Sequence, residues 1–447
     1  MVSNIFTWFL YVANQVSDLS IQPIQPQARL RPGNQQVVVP PPSPTQPFDA
    51  GPPIIQTPTA EPSITPSPTT EPSITPSPTS PPPAEATEEF WDDIITGVYG
   101  IPPLLKIHDR AGNIKWSWGR DDVTQELPPY IRHCLYSDAN DATEVKWIKN
   151  GTAIAAIYSD LVLMINHTPD NPETDKLITF AVCRQNEFLW NSHTLEPLPG
   201  DRVAVGTTGS NAWDGILVYN SSVDNPLVDE PLILQNITGL RAIHGMIWDE
   251  QEQMLWAAGT DAAADGSDPI PAYGTIQGYP YNATTGELED TEEFMYRLPE
   301  AWDQETEWGP GYPWWCGPHD LVPIPNDRKF LMSQDRGLHA FDLNTREFFL
   351  DSKGVIDTYM RGFEVTTNDR KGFNRAGEYL ELPESDLKGF SMAPDGSFVY
   401  VQSLWRLLRG NHTNLVVDGV RQQINLGDEI YRSRWFADIP GWPKPAA

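Results

Sequence analysis

Three histidines recur with similar neighbours: His193 in NSHTLEPLPGDRVAVG, His244 in AIHGMIWDEQEQMLWAAG and His319 in GPHDLVPIPNDRKFLMS. Each precedes a few apolar residues, a turn and a second apolar run, so the three imidazoles hold one position of a repeat. Imidazoles so placed could hydrogen-bond a neighbouring backbone, hold a metal or donate to a ligand. No carboxylate or cysteine joins them in sequence, and the expectation is no metal and no cofactor. Just upstream of His319 lies LPEAWDQETEWGPGYPWWCGPHD, carrying Trp302, Trp308, Tyr312, Trp314 and Trp315. Indoles in such numbers in an insertion either pack it or grip an apolar ligand. His193, His244 and His319 are therefore the candidate hydrogen-bonding groups of a site, and Trp302, Tyr312, Trp314 and Trp315 its candidate substrate-binding wall.

Other chemistry has less support. The chain has no GxSxG, and His319 and Asp320 are sequential neighbours, which makes no triad. SDANDATE at Ser137 and DAAADGSDP at Asp261 miss the 12-residue calcium-loop register and read as solvated turns.

The elements that must position the histidines are short. From Phe90 onward, apolar or alternating runs are separated by Gly, Pro, Asn and Asp, and no long helical period stands out. EVKWIKNGTAIAAIY at Glu144 and KGFSMAPDGSFVYVQ at Lys388 complete five copies of the repeat, with Val145 and Gly389 aligned to the histidines. Return strands such as GILVYN at Gly215 and GLHAFDLN at Gly337 give two hairpins per unit of roughly 45 to 75 residues, the pattern of four-stranded propeller blades. Leu104–Trp118 and Tyr431–Phe436 together supply a sixth unit, closing the ring and removing its open edges. The fold expected is all-β, a six-bladed β-propeller over residues 89–447, with seven blades as the alternative.

Before this domain, residues 5–13 (IFTWFLYVA) have the length of a signal-peptide core, and a signal peptide is expected over 1–20. Residues 21–88 hold 20 of the 44 prolines and a tandem EPSITPSPTT/EPSITPSPTS, so a disordered Pro/Thr/Ser-rich stalk is expected there. Six N-x-S/T sequons, at Asn150, Asn166, Asn220, Asn236, Asn282 and Asn411, point to a glycosylated chain of the secretory lumen or beyond. In that compartment one disulfide is expected among three cysteines. Cys134 and Cys183 each follow a strand-like run early in the domain, whereas Cys316 sits in the Gly/Pro/Trp loop, so the first two are expected to pair. A net charge of −30, from 60 acidic and 30 basic residues, repels nucleic acid and anionic lipid. Small hydrophobic substrates are the expected partners, with no nucleic acid and no membrane span in the mature chain.

From Phe90 to Trp442 the HS, HG and HD openings, the GxLxxY/F returns and the terminal RWF resemble a family of secreted microbial six-bladed propellers. Within its fungal branch, the sequons, paired cysteines and aromatic channel resemble the intermolecular hetero-Diels–Alderases of tropolone-sesquiterpene (meroterpenoid) biosynthesis. The resemblance implies a cofactor-independent cyclase joining a tropolone o-quinone methide to a humulene-type alkene, with the Trp/Tyr group holding the substrates and one of the histidines donating to the developing oxyanion. A carbohydrate-binding propeller and a lactonase-type hydrolase are the competing readings.

Overall fold

A computed structural model describes residues 91–185, 189, 191–208, 215–262, 272–299, 317–334, 337–364, 387–403, 409–427 and 429–445. The signal-peptide and stalk expectations, residues 1–20 and 21–88, lie outside these residues, as do Trp302, Tyr312, Trp314, Trp315 and Cys316.

Among the described residues, six antiparallel sheets form the blades of a β-propeller. Blade 1 takes three strands from the start of the domain, β1 (Ile94–Val98), β2 (Leu104–His108) and β3 (Ile114–Trp118), and its innermost strand from the end, β25 (Ile430–Trp435). β1 and β25 run antiparallel from Ile94 opposite Trp435 to Val98 opposite Ile430, so the two ends of the domain close the ring. This is the closure expected from sequence, with β1 as an added strand. Blade 2 holds β4 (Ala142–Ile148) to β7 (Ile178–Cys183), and blade 3 holds β8 (Ser192–Leu198) to β11 (Ile233–Thr238). Blade 4 runs from β12 (Arg241–Asp249) to β14 (Gly274–Asn282), whose outer edge pairs with both β15 (Glu287–Leu288) and β16 (Met295–Arg297). Blade 5 holds β17 (Asp320–Pro323) to β20 (Glu347–Phe349), and blade 6 holds β21 (Leu387–Met392) to β24 (Val420–Ile424). Two helices, α1 (Pro129–Leu135) and α2 (Ser352–Tyr359), sit in the links after blades 1 and 5.

Strand composition follows position in the blade. β5 (Ala153–Tyr158, AIAAIY) is buried throughout because a blade lies on each of its faces, which is why it reads as a continuous apolar run. The outermost β24 (VRQQI) is largely polar because it faces water. Six apolar layers fill the six gaps between neighbouring blades, as where Ile157, Met164 and Phe180 of blade 2 meet Leu195, Val205 and Leu217 of blade 3. Inner strands β25, β4, β8, β12, β17 and β21 pack on one another in sequence around the channel.

Cys134 and Cys183 are bonded, with α-carbons 5.9 Å apart. Cys183 ends β7 as its strand-like context implied, but Cys134 lies in α1 and follows no strand. The helix starts at Pro129, where a proline at the first turn loses no hydrogen bond.

Candidate functional site

Five of the six inner strands, all but β17, carry a break in register at this end. The pairing shifts between Ala142 and Glu144, Ser192 and Thr194, Arg241 and Gly245, Leu387 and Gly389, and opposite Tyr431 in β25. A bulge re-aims the residue it leaves unpaired. His193 occupies such a bulge, His244 lies within another, and His319 stands immediately before β17, its N–H donating to the Ser333 carbonyl at 2.7 Å. The equivalent residues are Thr143 in blade 2, Lys388 in blade 6 and Tyr431 in blade 1. The sequence alignment, which placed Val145 and Gly389 opposite the histidines, is thus out of step by two residues and one, because the turns that follow the inner strands differ in length: Leu198 pairs with Arg202, Ile148 with Ala153 and Met392 with Phe398.

These residues meet at one end of the channel. The His193 and His244 rings stack with centroids 4.7 Å apart, and His319 meets His244 edge-on at 5.2 Å. Tyr431 stacks on the other side of His193 at 5.4 Å. Lys388 places Nζ 2.7 Å from His319 Nε2, and His244 Nδ1 lies 2.9 Å from the Ala242 carbonyl, to which it donates. Burial, reinforced by neighbouring positive charge on Arg432, holds both His193 and His244 well below the ordinary imidazole range. At neutral pH this end of the channel therefore carries uncharged imidazoles. The Trp-bearing segment rejoins the described chain at Gly317, two residues before His319.

Beneath the mouth the channel is filled by ions. Arg432, fully buried, donates through Nη1 to Glu144 Oε2 at 2.5 Å, through Nη2 to the carbonyls of His244 (2.6 Å) and His319 (2.7 Å), and through Nε to that of Lys388 (3.2 Å). One guanidinium thus fixes the backbone of three mouth residues from three blades. Gly389 leaves space for it, since a Cβ there would meet Arg432 Cγ at 2.7 Å. Arg434 bridges Glu144 (3.1 Å) and Asp320 (2.9 Å). Lys146 donates to Glu196 at 2.7 Å and to the Met246 carbonyl at 2.9 Å, and Lys444 from the C-terminal segment also reaches Glu196. Burial alone would raise the Glu144 carboxyl, but Arg432, Arg434 and Lys146 hold it down at about 2. Glu196 is likewise lowered, with Lys146 and Lys444 outweighing burial. Glu144, read from sequence as part of a solvated acidic turn, is instead wholly buried in the channel. Strand alternation puts Glu144 and Lys146 on one face, but the pattern alone does not tell a channel-facing pair from a solvent-facing one.

These shifts predict a two-stage acid response. His193 and His244 are depressed in the fold, so from about pH 6.5 downward the unfolded chain binds protons that the folded chain refuses, and stability falls with pH. Each group contributes about 1.4 kcal/mol per pH unit. Below the ordinary carboxylate range, Glu144 and Glu196 add a second loss. Melting temperature should drop between pH 6.5 and 5, and the drop should shrink in His193→Gln/His244→Gln. A flat profile over that window refutes the neutral-imidazole assignment.

Among the sequons, Asn150, Asn220, Asn236, Asn282 and Asn411 are exposed, and Asn166 is half-buried with Nδ2 donating to the Thr174 carbonyl at 3.2 Å. Among the described residues no group of three His, Cys, Asp or Glu is arranged to hold a metal ion, and no helix is long and apolar enough to cross a membrane.

No protein-family model matches the chain, and no curated protein matches it. Among solved structures it is similar to a chain of a nidogen/laminin complex, at 8% identity with a TM-score of 0.42, over 76% of this chain and 97% of that one. It is also similar to a candidate 6-phosphogluconolactonase from Bacteroides uniformis, at 14% identity and TM-score 0.34, over 58% of this chain and 66% of the other. At these values neither likeness bears on activity.

Proposed function

We propose that the protein is a secreted, cofactor-independent enzyme that joins a tropolone o-quinone methide to a humulene-type sesquiterpene by an intermolecular hetero-Diels–Alder reaction at the histidine-bearing mouth. The observation that carries this reading is the convergence of three imidazoles from consecutive blades, two of them held uncharged by burial. Such a cycloaddition forms one C–C and one C–O bond from existing π bonds and releases nothing. It needs two apolar partners held at reacting distance and a hydrogen bond to the oxygen as it gains charge. Trp302, Tyr312, Trp314 and Trp315 are proposed as the apolar wall. The disulfide and the exposed sequons support passage through the secretory pathway, with residues 1–20 proposed as signal peptide and 21–88 as stalk. A lactonase-type hydrolase that holds a cation would need free carboxylates in the channel, whereas Glu144, Glu196 and Asp320 are all ion-paired to Arg or Lys.

The test is to supply quinone methide and humulene-type alkene to the purified protein and measure adduct formation and enantiomeric excess against buffer. Excess in both is expected, and Trp315→Ala should raise KM more than it lowers kcat. Wild-type protein with neither rate nor stereochemical excess ends the cycloaddition reading.

A further inference from the structure

We infer that His193 is the residue that hydrogen-bonds the ligand, presenting Nε2–H from the channel mouth to an uncharged carbonyl oxygen. This rests on the proposed use of the mouth as a small-molecule site and assigns the donor within it.

The three imidazoles differ in how their nitrogens are engaged. His244 commits Nδ1 to the Ala242 carbonyl, which places its proton on Nδ1 and leaves Nε2 a lone pair. His319 faces the Lys388 ammonium with Nε2, which accepts; this contact outweighs the cost of leaving the ring's proton on its own enclosed Nδ1. Neither offers Nε2–H outward. His193 is the opposite case. Its Nδ1 is enclosed and has no hydrogen-bond partner. A buried N–H without an acceptor is rarer and more costly than an unused acceptor, so the proton belongs on Nε2. The ring is half-buried, and Nε2, unlike Nδ1, is not an enclosed atom without a partner, which makes it the nitrogen able to reach a ligand at the mouth. Stacking between His244 and Tyr431 fixes the plane of the ring and hence the direction of the N–H. A neutral donor aimed from an apolar stack suits a neutral acceptor such as an enone or tropolone carbonyl.

Two measurements on the full-length protein test this. The first is the 15N spectrum of histidine-labelled protein at pH 7, with His193 assigned by its loss in His193→Phe. A protonated Nε2 and bare Nδ1 are expected, and a protonated Nδ1 overturns the inference without reference to any ligand. The second is binding of tropolone itself, followed by calorimetry. His193→Phe keeps the stack but loses the donor and should weaken binding about 30-fold. His193→Gln, which retains an N–H, should recover most of that loss, and His319→Gln should change it little. Equal binding by wild type and His193→Phe, or no binding by wild type, overturns the assignment. The outcomes separate from those of the cycloaddition test. His193-dependent binding without adduct formation sinks the reaction and keeps the donor; adduct formation unchanged in His193→Phe does the reverse.

Discussion

Replacing Arg432 by Met is expected to cost about 3–5 kcal/mol of folding stability, the usual penalty for removing one partner of a buried ion pair. The side chain is fully buried and serves four acceptors in four blades: the Glu144 carboxylate and the carbonyls of His244, His319 and Lys388. Methionine fills much of the volume but donates to none of them. Glu144 would keep Arg434 and Lys146 as partners, so its charge would be under-compensated, not abandoned. The three carbonyls would be left facing an apolar side chain. Urea unfolding at pH 7 measures the loss. Adding Glu144→Gln to Arg432→Met should recover part of it, because a neutral amide is less costly to leave in the channel; a cycle over the two positions gives the coupling. Arg432→Lys should recover less than the charge suggests, since an ammonium cannot reach four acceptors in one plane. A loss below about 1 kcal/mol in Arg432→Met would show that the ring is held by the inter-blade layers alone.

The blade count was legible in the sequence because each inner hairpin has a strand buried on both faces and therefore a continuous apolar run, as in Ala153–Tyr158 and Met254–Gly259. Ring closure was legible from unpaired material at both ends of the domain, while β1 escaped notice because IITGV is short and the inner strand it pairs with, β25, lies at the other end of the domain. The site was half legible. His193, His244 and His319 share a residue type, so spacing revealed them. Thr143, Lys388 and Tyr431 sit at the same structural position with unrelated side chains, and unequal turn lengths shift the first two out of the alignment. The ionic filling of the channel left little trace. Glu144 and Lys146 look like the wet face of an ordinary strand, and YRSRWF looks like a charged terminus, because sequence does not say that the sixfold ring buries what a flat sheet would expose.

Loss of the disulfide should have the other large effect, about 4 kcal/mol by the chain-entropy argument for cysteines 49 residues apart. Its consequence should be confined to the unfolding equilibrium, leaving the folded shape intact. Cys134 and Cys183 lie in the apolar layer between blades 1 and 2 with Ile131 and Leu135, contacts that reduction does not remove. The segment before α1 is pinned separately: Gln125 Nε2 donates to the Ile178 carbonyl at 2.9 Å, and its Oε1 accepts from the Ile178 N–H at 2.6 Å. Tyr130 N–H also donates to Asp229 at 2.6 Å. A side-chain amide thus completes the free edge of β7 whether or not the sulfurs are joined. Cys134→Ala/Cys183→Ala should therefore fold at 25 °C with an unchanged His193 15N spectrum, yet unfold at markedly lower urea, and reductant should move wild type most of the way to the variant. A variant whose spectrum changes at the channel mouth would show that the bond shapes the native state, and the entropic account would fall with it.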